Sequence, residues 1–178
     1  WQGKRTLFQD CKIEALEEEH LDAWVKYPVF LFDFNGKNYQ EKGALEEILD
    51  EHLRRWEKEY NVVPTVKTFD ERVRDLLLAV NGQTGLRSVI LVDEYDKPLL
   101  ETMDLPVLED HNKSVFKGFF SSLKGFDEYI EFVFITGVTK FEKVSIFSDL
   151  NQLRDISLSK EYAGICGITE EELQDHCS

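Results

Sequence analysis

Three short apolar runs along the chain alternate with longer segments whose apolar residues recur at helical spacing. The runs are PVFLFDF at 28–34, SVILV at 88–92 and YIEFVFIT at 129–136. Each is shorter than an average helix and rich in aromatic or β-branched residues, which is typical of buried strands. A weaker pattern at 155–158 predicts a short fourth strand. The chain is therefore expected to contain a largely buried sheet.

Amphipathic helices are predicted between these strands. Apolar side chains share one face over 44–60 and again over 112–123. Between these two segments, Thr68 and Glu71 match a capping box that begins another helix, and Gly85 lies at its predicted end. Three amphipathic helices are therefore expected to cover apolar strands.

The remaining segments are less regular. The stretch 104–110 around Pro106 is predicted to be a loop, and Thr169 with Glu172 marks the start of a last helix. Strands that alternate with helices imply an α/β fold with a mostly parallel sheet and helices on both faces, in three layers. A chain of 178 residues is long enough for one domain with its own core.

Charge and cysteine content narrow the functional classes. The chain carries 35 acidic and 21 basic residues, a formal net charge of −14, which argues against a broad surface for nucleic acid or anionic membranes. A nucleotide pocket remains compatible, because a bound magnesium ion neutralises much of the phosphate charge. Three scattered cysteines without a CxxC pair favour a reducing cytoplasm over a disulfide framework or zinc site. No apolar run approaches the roughly 20 residues of a membrane helix.

The second apolar run ends in two acids, Asp93 and Glu94, which is the Walker B pattern. A buried parallel strand delivers its carboxyl end to the ligand crevice of the sheet. There Asp93 is suited to hold the water shell of a magnesium ion, and Glu94 to polarise an attacking water as a catalytic base. An apolar strand that ends in a solvated acidic turn gives the same sequence pattern, so this motif alone leaves both interpretations open.

Thr136 ends the third apolar run and is followed by Gly137. A hydroxyl at the tip of the strand beside Walker B is where a P-loop ATPase places its sensor 1 residue, which makes Thr136 a second catalytic candidate. An ordinary strand exit also uses Thr and Gly. The acid-tipped and hydroxyl-tipped strands together are more specific for a nucleotide site than either is alone.

Four blocks make the sequence resemble a known family. They are VILVDEYDKPLL at 89–100, FVFITGVTKFEKVSIF at 132–147, SDLNQLRDISLS at 148–159 and YAGICGITEE at 162–171. All four closely resemble the bacterial predicted AAA-ATPase-like family. The resemblance implies a P-loop NTPase core over 1–160 that uses ATP and Mg²⁺, followed over 161–178 by the start of a C-terminal helical segment. Members of that family often carry a nuclease-like domain of the PD-(D/E)XK class downstream, which makes such a domain a candidate partner in the parent protein.

The family's phosphate-binding P-loop is missing from this sequence. In the family that loop precedes the segment that resembles 1–8, and Gly3-Lys4-Arg5-Thr6 lacks the contiguous Gly-Lys-Ser/Thr of a P-loop. The chain by itself is therefore expected to bind ATP weakly or not at all and to be inactive as an ATPase. The resemblance also puts the P-loop strand beside the third strand. Without it, that edge is predicted to pair with 155–158 or with a second copy of the chain, as a homo-oligomer.

Lys140 and Arg154 follow the sensor candidate and are predicted to contact phosphate, although most such side chains are simply solvated. The leading hypothesis is an ATPase that hydrolyses Mg-ATP in the intact protein. The alternative is a nucleotide-regulated interaction module with little or no turnover. A metal nuclease centred on Asp93, Glu94 and Asp96 is disfavoured, because Lys97 directly follows Asp96 and the (D/E)-x-K spacing is absent.

Overall fold

The computed structural model of the chain describes residues 5–20, 23–64, 68–139, 153–165 and 174. Its strands are β1 Val29–Asp33, β2 Ser88–Asp93 and β3 Ile130–Ile135. Its α-helices are α1 Lys12–Leu16, α2 Ala44–Glu59, α3 Phe69–Thr84, α4 Lys97–Leu100 and α5 Pro106–Gly125. Short 3₁₀ turns lie at Arg5–Phe8, Asp127–Tyr129 and Lys160–Tyr162. None of the described helices combines the length and apolar character that a membrane-spanning helix requires.

The three strands form one all-parallel sheet in the order β1-β2-β3. Asp33 pairs in register with Asp93 across β1 and β2, and Val92 pairs with Ile135 across β2 and β3. All three strands therefore end at the same edge. This arrangement confirms the predicted α/β class and parallel sheet, and it gathers the polar strand ends in one place.

The core lies between one face of the sheet and the three long helices. Phe32 is 1% exposed, and its ring lies 4.8 Å from the ring of Trp56 on α2 and 4.7 Å from the ring of Phe119 on α5. Helix α3 packs against α5, α2 and β2 on the same side. Both aromatic contacts are edge-on, the preferred arrangement for packed rings. Helices α2 and α5 therefore anchor the middle of β1.

The opposite face of the sheet is apolar and only partly covered. It carries Leu31, which is 42% exposed, and Phe132, which is 53% exposed and stacks on the ring of Phe134. The long helices α2, α3 and α5 all lie on the other side. The predicted second layer of helices is therefore not found within the described ranges. Sheets of parallel strands are normally buried on both faces, so this face is unusual for the class.

Helix boundaries differ from the prediction around Pro106. The stretch expected to be a loop over 104–110 is helical from Pro106 onward, so this part of the prediction is wrong. Proline suits the first turn of a helix because its missing N–H would have no partner there. The predicted end of α3 is confirmed, because Gly85 adopts φ 70° and donates its N–H to Asn81 O at 2.8 Å. The last helix predicted from Thr169 lies outside the described residues.

The predicted fourth strand at 155–158 is wrong. The carboxylate of Asp155 accepts the N–H of Ser157 at 3.0 Å, and Ile156 O accepts the N–H of Ser159 at 3.0 Å, which makes this segment a turn. Asp favours such turns because its side chain caps the amide two residues on. This segment therefore does not pair with β3. Within the described residues, only β2 pairs with β3.

Candidate functional site

The carboxyl edge of the sheet carries the two acids predicted from the second apolar run. Asp93 is the last residue of β2 and Glu94 follows it. The ladder continues past the strands, because Phe34 donates its N–H to Asp93 O at 3.1 Å and Thr136 donates its N–H to Val92 O at 2.8 Å. The backbone at Asp93 is thus held from both neighbouring strands.

Thr136 lies beside Asp93, as the strand order predicts. Its hydroxyl donates a hydrogen bond to Asp93 Oδ1. Both side chains reach the edge on adjacent parallel strands, so their proximity follows from the topology. This hydrogen bond is the central contact of the site.

Glu94 has an unusual backbone and a cationic neighbour. Its φ is 52°, in the left-handed region that non-glycine residues seldom adopt. Residues with such strained backbones cluster at functional sites. Lys97 Nζ lies 3.6 Å from Glu94 Oε2 and donates to Asn35 Oδ1 at 3.0 Å. Asn35 in turn donates its N–H to Asp33 Oδ1 at 2.8 Å. A polar chain therefore connects Glu94 to the end of β1.

Sequence reasoning gave Asn35 and Lys97 no role at the site. The two residues lie 62 positions apart, so no local pattern links them. A signal does exist in hindsight, because polar residues directly follow the apolar runs of both β1 and β2.

The side chains of Tyr95 and Asp96 hold the loop that follows β3. Asp96 Oδ2 accepts the N–H of Thr139 at 2.5 Å and its hydroxyl at 2.7 Å. Tyr95 donates its N–H to Thr136 O at 3.1 Å and its phenol to Thr139 O at 3.0 Å. Asp96 is 1% exposed, and its Oδ1 has no hydrogen-bond partner among the described residues. The turn after β2 is thus hydrogen-bonded to the loop after β3 at several points.

Gly137 allows the close approach of these two segments. A Cβ built on Gly137 would lie 2.7 Å from Asp96 Oδ1 and 2.7 Å from Tyr95 Cε1, closer than real Cβ contacts come. Either neighbour would have to move if any side chain were present.

We expect Gly137→Ala to lower the free energy of unfolding by about 1 to 3 kcal/mol, the usual size of an overpacking effect. The matched control is Gly118→Ala in α5, where an added Cβ meets nothing within 4 Å. That change should stabilise the helix by about 0.5 to 1 kcal/mol. Urea unfolding of both variants tests the difference, and equal midpoints would contradict the tight contact at Gly137.

Neutral groups underlie the end of β1. The Tyr39 phenol donates to Phe34 O at 2.7 Å, and burial, followed by the charges of Glu101, Asp33 and Glu94, raises its pKa. His52 Nε2 lies 2.9 Å from Asp33 O, and burial lowers the pKa of His52. Tyr39 and His52 therefore support the carboxyl edge of the sheet, which from here on is called the acidic edge, without adding positive charge at neutral pH.

The two predicted phosphate contacts fare differently. Lys140 lies outside the described residues, directly after Thr139 in the chain. Arg154 is described, and its guanidinium lies 2.9 Å from Glu161 Oε2 and 5.1 Å from the ring centroid of Tyr162. These contacts are local to 153–165, and no described contact joins Arg154 to Asp93 or Thr136. A phosphate-binding role for either residue stays a prediction.

Comparison with known proteins assigns the family. A family model described as "Predicted AAA-ATPase" matches residues 1–147, which include the whole acidic edge. The chain belongs to this AAA-ATPase-like family. A curated relative from Azotobacter chroococcum mcd 1, "Uncharacterized protein in vnfD 5'region", is 33% identical over 171 residues. That alignment covers 96% of this chain but 32% of the relative's length. No solved structure matches significantly.

The polar groups of this AAA-ATPase-like domain have the chemistry that magnesium prefers. Carboxylate oxygens of Asp93 and Asp33 and the hydroxyl of Thr136 are hard donors at one edge. Within the described ranges, however, no group of three or more His, Cys, Asp or Glu side chains could hold a metal ion. An ion here would therefore need ligands beyond those groups. Mg²⁺ commonly meets that need with waters and substrate phosphates, which fits one or two carboxylates.

Proposed function

We propose that the intact protein binds and hydrolyses Mg-ATP, and that this chain supplies the acids and the sensor hydroxyl of that site. The observation that carries the proposal is the hydrogen bond from Thr136 to Asp93 at the carboxyl edge, with Glu94 adjacent. An anion-binding loop and its lysine would come from a P-loop strand paired to the second edge of β3. The exposed side chains of Leu31 and Phe132 support a further helical layer over the sheet face opposite α2, α3 and α5, which would complete a three-layer P-loop NTPase fold.

Each residue has a distinct part in the proposed reaction. Bound magnesium would neutralise phosphate charge and polarise the terminal phosphoryl group. Asp93 would hold the water shell of that ion, and Thr136 would orient the attacking water or contact the terminal phosphate. The oxygen of the attacking water would bond to the γ-phosphorus while the bond from that phosphorus to the β–γ bridging oxygen breaks. Glu94 would accept the proton that the water loses. The products are ADP and inorganic phosphate, with Lys140 and Arg154 as further candidate phosphate contacts.

One observation favours the alternative of a nucleotide-regulated interaction module. Lys97 Nζ lies 3.6 Å from Glu94 Oε2, so this carboxylate already has a cationic partner that competes with an attacking water for it. In that case the protein would bind Mg-ATP without rapid turnover, and the bound nucleotide would act by changing the shape of the domain.

The test is Mg-ATP binding and phosphate release by the full-length protein. We expect both to depend on magnesium, and Asp93→Asn to raise the magnesium concentration at half-maximal binding by about 10- to 100-fold. The control is Asp104→Asn, an exposed carboxylate in the turn before α5.

The outcomes separate the candidates. Binding without phosphate release would favour the interaction module. Absence of magnesium-dependent binding in the wild-type protein would reject both functions. Equal magnesium dependence in Asp93→Asn and the control would remove Asp93 from the site.

A further inference from the structure

We propose that Asp96 is a positioning residue that holds Thr136 in place through the loop at 136–139. We call Asp96, Tyr95 and Thr139, with their mutual hydrogen bonds, the Asp96 latch. This inference rests on the proposed function for its catalytic consequence, but the latch itself is a structural statement that can be tested separately.

The latch grips the loop at both ends. Tyr95 N–H bonds to Thr136 O at the start of the loop, at 3.1 Å. At the end of the loop, Asp96 Oδ2 accepts hydrogen bonds from the N–H and the hydroxyl of Thr139, at 2.5 and 2.7 Å. A carboxylate that accepts two hydrogen bonds makes stronger bonds than neutral acceptors do. The loop therefore has a defined position relative to the turn that carries Glu94.

An ordinary structural role does not account for Asp96. It precedes α4, yet its side chain makes no capping hydrogen bond to that helix. It is 1% exposed, and burial of a carboxylate is costly even when the group is paired. Its second oxygen has no partner among the described residues, which adds to that cost. An apolar residue would serve packing better, so the gain lies in the loop that Asp96 holds.

The location of the latch connects it to the site. Asp96 lies three residues after Asp93, and Thr139 lies three residues after Thr136. The turn after β2 and the loop after β3 therefore move as one unit while the latch is closed. When it opens, the N–H of Thr136 keeps its bond to Val92 O, but the carbonyl and the following loop lose their restraint. The hydroxyl of Thr136 would then sample positions away from Asp93.

The first experiment separates positioning from binding in the full-length protein. Asp96→Asn and Thr139→Val should each lower kcat for ATP hydrolysis by about 10- to 100-fold, because small misplacement of a catalytic group has effects of that size. KM should stay within about twofold, since the anion-binding loop that would supply most of the phosphate contacts is not part of the latch. Thr139→Ser keeps the hydroxyl and should restore kcat close to the wild-type value.

The matched control is Glu57→Gln. Glu57 is also a buried carboxylate, 6% exposed, and it binds Arg72 far along the chain from the latch. Its loss should lower stability without changing kcat at temperatures where the protein is folded. Equal losses of kcat in Glu57→Gln and Asp96→Asn would overturn the proposal, because the effect would then be one of stability.

The second experiment does not depend on ATPase activity. Hydrogen exchange of the full-length protein should show faster exchange, by about tenfold or more, in peptides covering 130–139 of Asp96→Asn. Exchange in peptides covering 44–59 should not change. Glu57→Gln should give the opposite pattern. If the wild-type protein hydrolyses no ATP, the proposed function fails. The exchange pattern alone then tests whether Asp96 holds the loop at 136–139. Unchanged exchange at 130–139 would overturn it.

Discussion

Glu94→Gln should reduce ATP hydrolysis by the full-length protein about 10²- to 10⁴-fold while it leaves Mg-ATP binding nearly intact. Glutamine has the shape of glutamate but cannot accept a proton at neutral pH, and a general base typically contributes an effect of this size. Asp93 is unchanged in this variant and would still hold the water shell of the magnesium ion. The loss should therefore fall on kcat rather than on affinity.

The substitution is expected to leave the local structure in place. Glu94 adopts φ 52°, and glutamine is strained there to the same extent as glutamate. The lost ion pair with Lys97 is long, at 3.6 Å, and both side chains are about one-third exposed. Such a pair contributes about 0 to 1 kcal/mol, so the variant should remain folded.

A matched control is Glu109→Gln on α5. Glu109 also pairs with a lysine close in sequence, Lys113, at 2.6 Å, but it lies on α5 and has no described contact with Asp93, Glu94 or Thr136. Phosphate release and fluorescent-nucleotide binding should be measured for both variants beside the wild type. Hydrolysis by Glu94→Gln at the level of Glu109→Gln would show that Glu94 is not the base.

Arg72→Ala should lower the free energy of unfolding of the chain by about 3 to 5 kcal/mol, the usual effect of removing one partner of a buried ion pair. Arg72 on α3 reaches α2, where it binds both oxygens of Glu57 at 2.7 and 2.8 Å and Asp50 at 2.7 Å. Its hydrogen bond to Glu57 raises the pKa of Arg72, against the effect of burial. Without the guanidinium, Glu57 would keep a buried and unpaired charge.

Arg74→Ala, two residues further along α3, supplies the control. Its guanidinium pairs with the neighbouring Asp75 at 3.0 Å, and its side chain is 38% exposed. Substitution at such a site usually changes stability by no more than about 0.5 kcal/mol. Urea unfolding followed by tryptophan fluorescence, to which Trp56 in the core contributes, measures both. Equal midpoints for Arg72→Ala and Arg74→Ala would contradict the buried network.

The local patterns that predicted correctly are those in which one element's own residues decide its structure. Helix α2 was visible because its apolar residues recur at helical spacing, and β2 because a short β-branched run is bounded by polar residues. Pro106 and 155–158 were predicted wrongly. At Pro106 the proline begins a helix instead of a loop. At 155–158 the hydrogen bond from the Ser157 N–H to the Asp155 side chain forms a turn instead of a strand.

The sequence predicted that Asp93 and Thr136 lie at the carboxyl ends of neighbouring parallel strands, because alternating strands and helices favour a parallel sheet and a P-loop ATPase places its sensor 1 residue beside Walker B. It could not determine what each strand end touches. The chain from Asp33 through Asn35 and Lys97 to Glu94, and the grip of Asp96 on Thr139, join residues about 40 to 60 positions apart. Such contacts depend on how loops settle after the sheet has formed, and only the tertiary structure decided them. The same holds for the sheet face that carries Leu31 and Phe132, because periodicity shows that a strand is apolar on both sides but not which elements cover each side.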